Sequence, residues 1–276
     1  MKHFIFGYGS LICPQSRSQT APTLQEAIAE PVIIYHIERI WSARVLKGDS
    51  LVLDASRAHI RGWTPMGIRR RQGASCNGVL IHVDDEELAR FDIREEGYTR
   101  HRIDLFDVYP HCESVDGSLT TDDVRCPECS IVFERAHKKR NIANLNDSKS
   151  DQMDEPDISV WVYIQNEESA PNPSFPITQS YVDIIMRGCL SVSQDFARKF
   201  LQTTHGWWHD GELDGISSDT NNDDGSASQH HTWVDDRQSP MYVRADSDFS
   251  MEHGETIDRL IEEHHPHALK KRVLSM

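Results

Sequence analysis

The feature that most constrains this chain is a glycine break inside its first apolar run. Residues 4–12 read FIFGYGSLI, so a strand-forming segment is interrupted by Gly7-Tyr8-Gly9-Ser10. Glycine adopts conformations closed to other residues and lets backbone N–H groups approach another molecule closely. A strand that ends in this way presents consecutive N–H donors and a hydroxyl, which suits a carboxylate or a developing oxyanion. A β-bulge or a tight turn is also compatible with this local sequence. The glycine break therefore predicts a binding site only if a second functional group lies near it.

The charge and hydropathy of the chain argue against some classes of binding partner. The chain has 276 residues, with 29 Lys and Arg against 44 Asp and Glu, and a formal net charge of -15. This balance argues against nucleic acid or an anionic membrane as the main partner. The sequence lacks an apolar run long enough for a transmembrane helix, and its beginning does not resemble a signal peptide. We expect no nucleic-acid or membrane partner, while the oligomeric state stays open.

The cysteines indicate a reducing compartment. Six of them are spread over a long chain, which is not typical of a disulfide framework. We therefore expect a cytoplasmic protein. Cys126 and Cys129 form a Cys-x-x-Cys pair, and together with His111, Cys112 and His137 they could supply a structural zinc site. A single pair without a matching second pair is a weak signal, so we expect free thiols in a polar loop and no bound metal.

Periodicity and turn signals predict an α+β fold. Strands are predicted at residues 31–45, 76–83, 99–110 and 158–166, and helices at 84–98, 178–190, 193–204 and 254–265. Because strands dominate the first part and helices the second, we expect a small mixed β-sheet or barrel with helices packed around it.

Polar segments divide the chain further. We predict a domain at 1–208 that carries a polar, largely loop insertion at about 111–157. An acidic, low-complexity stretch predicts a flexible linker at 209–231. Residues 232–276 then form a C-terminal extension that we expect to pack on the domain.

Glu95 is the strongest candidate for chemistry. At about 100° per residue, Glu95 lies between Leu88 and Phe91 on the apolar face of the predicted helix, whereas Glu96 points away from it. A carboxylate on a buried face is costly unless it is paired or functional, and burial raises its pKa towards the range useful for general acid–base work. The alternative is that the helix ends before Glu95 and the side chain reaches water.

These two motifs carry a family resemblance. Tyr8-Gly9-Ser10-Leu11 after an apolar strand resembles the substrate loop of the γ-glutamylcyclotransferase family. Asp92-Ile93-Arg94-Glu95, followed by Gly97-Tyr98, resembles that family's acidic helix end, and the strand VWVYIQN at 160–166 fits as well. The resemblance covers roughly residues 3–110 and 158–166, and the remainder looks like the C-terminal extension of a bacterial branch.

The resemblance implies a reaction and its residues. In the family, the α-amine of a γ-glutamyl amide or peptide attacks the γ-carbonyl, which gives 5-oxoproline and a free amine. By resemblance Glu95 is the catalytic acid and base, and the γ-glutamyl group is bound by Tyr8, Gly9, Ser10, Leu11, Tyr98 and Tyr163. For each tyrosine a packing role is as well supported as a direct contact. No cofactor and no metal are implied, because an intramolecular cyclisation needs mainly orientation and proton transfer.

Two other functions remain open from the sequence. The chain could be a non-catalytic module that binds γ-glutamyl ligands or another protein on the same fold. It could also transfer an acyl group to an amine. Covalent catalysis by Ser10 would need a base beside it, and no histidine lies near it in the sequence.

Overall fold

The computed structural model describes residues 1–48, 55–111, 126–145, 158–207, 231–270 and 272–274. In these ranges the strands are β1 (Lys2–Gly7), β2 (Glu30–Trp41), β3 (Val45–Leu46), β4 (Gly62–Trp63), β5 (Met66–Val83), β6 (Tyr98–Ile103), β7 (Val108–Pro110), β8 (Ile158–Gln165), β9 (Ile177–Thr178), β10 (Thr204–His205), β11 (Trp233–Asp235) and β12 (Arg272–Leu274). The α-helices are α1 (Pro14–Ser18), α2 (Asp85–Arg94), α3 (Pro127–Leu145), α4 (Gln179–Val192), α5 (Gln194–Gln202), α6 (Ser247–His264) and α7 (Pro266–Lys270). The predicted α+β class is confirmed.

The main sheet is mixed, as predicted. Its strand order is β10-β2-β5-β1-β8-β6, and β7 also pairs with β2. The central strand β1 runs antiparallel to β5 and parallel to β8. Its residues Phe4, Ile5 and Phe6 are fully or almost fully buried, as expected for a strand covered on both faces. The pairing with β8 ends at Ile5, whereas β5 pairs with β1 as far as Gly7, so β5 alone holds the strand where the chain reaches the glycine break.

Strand β5 is longer than the sequence predicts. It begins at Met66, because β2 pairs with it along most of its length, including Arg69 and Arg70 of the arginine-rich stretch. The register shifts between Tyr35 and Ile37, which marks a β-bulge, and His36 has a φ of 62° there. A partner strand thus imposes extended structure on residues that have no apolar pattern of their own.

The single strand predicted at 99–110 is wrong, since the structure has two strands there. Asp104 ends β6, and its carboxylate accepts a hydrogen bond from the Phe106 N–H at 3.0 Å, which starts a short 3-10 turn. Strand β6 pairs with β8, whereas β7 pairs with β2. The turn therefore carries the chain from one part of the sheet to another.

Helix α2 starts as predicted and ends early. Asp84 and Glu87 form a capping box, in which each side chain accepts a hydrogen bond from the other residue's N–H. The helix ends at Arg94 rather than continuing to 98, and Gly97 has a φ of 94°. The Tyr98 N–H then bonds to the Glu95 carbonyl at 2.9 Å, which closes the turn into β6. Leu88 and Phe91 are buried as predicted.

The C-terminal part packs on the helix pair. Helix α6 contacts α4 and α5, and β11 pairs with both β9 and β12. Only the last residue of the predicted linker at 209–231 lies within the described residues. Most of the predicted insertion at 111–157 also lies outside them. The division into domain, linker and extension stays a prediction.

Among the described residues no helix has both the length and the apolar character needed to cross a bilayer. The cytoplasmic location stays a prediction.

Candidate functional site

One pocket of the structure lies where β1 ends, beside the C-terminal end of α2. It encloses about 330 Å³ of empty space, part of which is open to solvent. Its lining is rich in aromatic side chains and holds one carboxylate. The lining residues are Phe6, Tyr8, Gly9, Ser10, Leu11, Met66, Glu95, Tyr98, Tyr163 and Tyr181.

The glycine break is a turn from strand to 3-10 helix. Strand β1 ends at Gly7, and a 3-10 helix spans Ser10–Ile12 with Gly9 as its N-cap. The first N–H groups of a helix have no partner within it, and the cap supplies no side-chain hydrogen bond here. A Cβ on Gly9 would lie 3.0 Å from the Tyr181 hydroxyl, so only glycine leaves that space unfilled. Gly9, Ser10 and Leu11 therefore line the pocket at the point where the first helical N–H groups have no partner within the helix.

Glu95 is the C-cap of α2 and lies against the pocket with its side chain 19% exposed. Burial raises the pKa of its carboxyl group above the ordinary 4.5, while the positive charges of Arg94 and Arg244 oppose that rise. Glu96, the neighbouring acid, is exposed. The helix therefore ends before Glu95, as the alternative reading supposed, yet the side chain turns towards the protein rather than into water.

Arg94 is the main site residue that the helical pattern missed. The pattern places it away from the apolar face, but its side chain is only 4% exposed. The guanidinium donates hydrogen bonds to the Ser10 hydroxyl at 3.1 Å and to the Ser16 carbonyl at 2.7 Å, and it also bonds to Thr20. Its Nε lies 3.1 Å from Oε1 of Glu95. Arg94 is the last residue of the helix, so a wheel gives its direction there, but the wheel cannot show that its long side chain reaches Ser10 and Ser16 in another segment.

Three tyrosines of the pocket wall, Tyr8, Tyr98 and Tyr163, already donate their hydroxyl protons to hydrogen bonds within the protein. The Tyr8 hydroxyl donates to the Tyr163 carbonyl at 2.6 Å, and the Tyr98 hydroxyl donates to the Met66 carbonyl at 2.9 Å. Tyr163 donates to the carboxylate of Asp92 at 2.8 Å. Burial raises the pKa of Tyr8 and of Tyr98 well above 10, so both are neutral at neutral pH. Their hydroxyl oxygens can still accept hydrogen bonds from a ligand, for instance from an ammonium group.

The residues singled out in the sequence meet in this one pocket. Glu95 lines it together with Tyr8, Gly9, Ser10, Leu11, Tyr98 and Tyr163. Their catalytic and binding roles stay predictions. Tyr181, at the start of α4, also lines the pocket and was not singled out, because no local pattern shows which sheet edge that helix faces. Among the described residues that line the pocket there is no histidine, so none of them offers Ser10 an imidazole base.

The cysteine pair lies elsewhere, and the prediction that it sits in a polar loop is wrong. Cys126 and Cys129 are buried where α3 begins, and the Cys126 N–H donates to the carboxylate of Glu30 at 2.8 Å. Helix α3 (Pro127–Leu145) also places a long ordered element inside the insertion that was predicted to be largely loop. Within the described ranges no three His, Cys, Asp or Glu side chains form a group that could hold a metal ion. Cys112, the third thiol of this region, lies outside those ranges.

The similarity of this chain to known proteins is low. No protein-family model and no curated protein matches the sequence. Three solved structures align at low identity: the human protein loc79017, called uncharacterized; a gamma-glutamyl cyclotransferase; and a yeast gamma-glutamyl cyclotransferase specific to glutathione.

The first two share 13% identity with this chain, cover 72% of it and 86% of their own chains, and have TM-scores of 0.41 and 0.40. The yeast structure shares 15% identity over 68% of this chain and 77% of its own, with a TM-score of 0.32. With TM-scores below 0.5 these alignments are similarities only.

Proposed function

We propose that this protein is a γ-glutamylcyclotransferase that converts a γ-glutamyl amide or peptide to 5-oxoproline and a free amine. The α-amine of the glutamyl group attacks its own γ-carbonyl carbon, a C–N bond closes the five-membered ring, and the original amide C–N bond breaks. The α-ammonium group loses two protons as it becomes the ring N–H, and the departing nitrogen gains two as the amide N–H becomes an ammonium group. Atoms and charge balance without any added reactant.

The observation that carries this proposal is the position of Glu95 in the same pocket as the glycine loop. A carboxylate whose pKa is raised by burial holds and releases a proton more readily near neutral pH than an exposed one does. Glu95 takes the proton from the α-ammonium group and so exposes the attacking lone pair. It then gives the proton to the leaving nitrogen.

The loop supplies the complementary function. The N–H groups of Gly9, Ser10 and Leu11 hold the γ-glutamyl group and stabilise negative charge on the γ-carbonyl oxygen as the ring closes. Preorganised backbone donors are effective here because they need no rearrangement during the reaction. The Ser10 hydroxyl also accepts a hydrogen bond from Arg94, and this contact fixes the loop relative to Glu95.

Purified protein should release 5-oxoproline from a panel of γ-glutamyl amino acids, glutathione and γ-glutamyl polyamines. The Glu95→Gln variant should lose this activity by about a hundred- to ten-thousandfold, because proton transfer by one positioned group contributes about 10²–10⁴-fold. Glu96→Gln is the matched control, since Glu96 is the exposed neighbour, and it should keep nearly full activity.

Full activity in Glu95→Gln would overturn the assignment of the catalytic residue. Binding of panel members without any 5-oxoproline would support the non-catalytic binding module instead. Calorimetric titration of each γ-glutamyl compound distinguishes these outcomes, because it reports binding whether or not turnover follows. Membership of a bacterial branch with a C-terminal extension stays a prediction.

A further inference from the structure

The two cysteines at the start of α3 lie within one helical turn of each other. Cys126 immediately precedes the helix and Cys129 is its third residue. The Cys129 N–H donates a hydrogen bond to the Cys126 carbonyl at 3.0 Å, which closes the first turn. Side chains three residues apart at a helix start lie on the same face, so the two thiols are neighbours. Both are free thiols in this structure.

The two sulfur atoms have different surroundings. The Cys129 thiol points into the protein and lies 4.0 Å from the carbonyl of Leu80 on β5, an inner strand of the main sheet. The Cys126 thiol donates instead to the carboxylate of Glu128 at 3.5 Å, and Glu128 is exposed. Cys126 is therefore the outer thiol of the pair, and it contacts a proton acceptor that is open to water.

The same surroundings give the two thiols different acidities. Hydrogen bonds from the thiol and the N–H of Cys129 lower the pKa of Cys126 below the ordinary 9.0, although burial opposes this effect. That thiol–thiol hydrogen bond, together with burial, raises the pKa of Cys129. A thiolate at the start of a helix is also favoured by the helix dipole. Cys126 thus loses its proton more easily, and Cys129 keeps its own.

The pair is held in place by the sheet and is not part of a metal site. The Cys126 N–H donates to the buried carboxylate of Glu30 on β2 at 2.8 Å, which fixes the backbone before the helix begins. A structural zinc ion needs four ligands, and the described residues contain no group of even three that could hold a metal ion. An outer thiol of lowered pKa beside a protonated inner thiol suits thiol–disulfide chemistry instead.

We propose that Cys126 and Cys129 form a reversible redox site that is oxidised to a disulfide by a small peroxide such as hydrogen peroxide. The Cys126 sulfur attacks one peroxide oxygen, the O–O bond breaks, and Cys126 becomes a sulfenic acid as one water leaves. The Cys129 sulfur then attacks the Cys126 sulfur, the S–O bond breaks, and a second water leaves. The two thiols together lose two protons and two electrons, and the peroxide is reduced to two molecules of water.

A small oxidant is required because the Cys126 side chain is only 2% exposed. Neither cysteine lines the pocket that contains Glu95, so this inference does not depend on the proposed cyclotransferase activity.

Peptide mapping of the full-length protein tests the proposal directly. Trypsin cleaves after Arg125 and Arg135, and the resulting peptide 126–135 contains both thiols and no other cysteine. After treatment of the folded protein with hydrogen peroxide, alkylation and digestion without reductant, this peptide should have lost the mass of two hydrogen atoms and should carry no alkyl group. Dithiothreitol should restore the two thiols.

The buried thiol of Cys76 is the internal reference for the rate. Burial raises the pKa of Cys76 to about 11, so its thiolate fraction at neutral pH is at least about a hundredfold below that of Cys126. Because a thiolate of higher pKa is intrinsically more nucleophilic, part of this difference is offset. We expect the pair to be oxidised at least about tenfold faster than Cys76 in the same sample.

Two variants separate the roles of the thiols, and a third is the matched control. Cys129→Ser should stop at the sulfenic acid of Cys126, which dimedone traps, whereas Cys126→Ser should leave Cys129 reduced. Cys112→Ser removes the preceding cysteine of the sequence and should form the same disulfide as the wild type. A wild-type peptide 126–135 that is oxidised no faster than Cys76 would overturn the proposal. A cross-link from this peptide to peptide 103–125, which carries Cys112, would overturn the assignment of Cys129 as the second thiol.

Discussion

Nη2 of Arg94 donates a hydrogen bond to Oγ of Ser10 over 3.1 Å, and this contact joins two segments that are 84 residues apart in the sequence. The same guanidinium contacts the carboxylate of Glu95. Arg94 therefore fixes the distance between the candidate acid and the loop that faces it. It also lowers the pKa of the glutamate by its charge.

Replacing Arg94 should affect both the position and the proton affinity of Glu95. We expect Arg94→Gln to reduce kcat/KM by about 10-fold or more, as misplacement of a reacting group does. The acidic limb of the pH–rate profile should move to higher pH, because a charge that lowers the pKa of Glu95 is removed. Arg90→Gln is the control, since Arg90 pairs with Glu86 on the outer surface of the same helix. A loss of activity without any shift of the limb would contradict the electrostatic part of this role.

The raised pKa of Glu95 also predicts how stability depends on pH. Between the ordinary pKa of 4.5 and the raised folded value, the unfolded chain has released this proton while the folded protein still holds it. The contribution of Glu95 to stability therefore falls as pH rises through this window and is constant above it. Glu95→Gln lacks this effect, so its stability relative to wild type should be greater at about pH 7.5 than at about pH 4. Urea unfolding of both proteins across this range measures the difference, and an opposite trend would mean that the folded pKa is lowered.

Arg237 holds the C-terminal segment to α4 through buried ion pairs. It contacts the almost fully buried carboxylate of Asp183 at 2.9 Å and that of Asp258 at 2.8 Å. Arg237→Ala should lower the free energy of unfolding by about 3 kcal/mol, because it leaves a buried charge without its partner. Arg198→Ala, which removes an exposed ion pair with Asp195, should cost less than about 1 kcal/mol. Urea denaturation gives both values, and equal losses would show that the Arg237 network adds little.

The close contact between α4 and the end of the 3-10 helix Ser10–Ile12, which follows the glycine break, predicts a third effect on stability. A Cβ on Gly188 would lie 2.5 Å from the backbone nitrogen of Cys13, so the helix or the loop would have to move. We expect Gly188→Ala to destabilise the protein by about 1–3 kcal/mol and to reduce activity, because the moved segment adjoins the pocket. On α6, a Cβ on Gly254 would lie 3.4 Å from the end of the Arg237 side chain. Gly254→Ala should therefore be neutral or slightly stabilising. Thermal unfolding and the 5-oxoproline assay test both variants.

Several features of the fold could be predicted from the local sequence. The apolar runs at 31–45 and 158–166 correspond to β2 and β8, and the acidic residues at 84–87 form the cap of α2. In each case the signal lies within the element itself. The polar half of β5 could not be predicted in this way, because its extended conformation depends on pairing with β2.

The sequence by itself determined where the first strand breaks and that an acid follows the apolar face of a helix. Only the tertiary structure decided that these two groups share a pocket and that Arg94 turns inward to join them. Local periodicity reports which face of one element is buried. The meeting of distant segments depends instead on strand pairing, helix packing and side-chain hydrogen bonds between elements, and these have no signature in either segment alone.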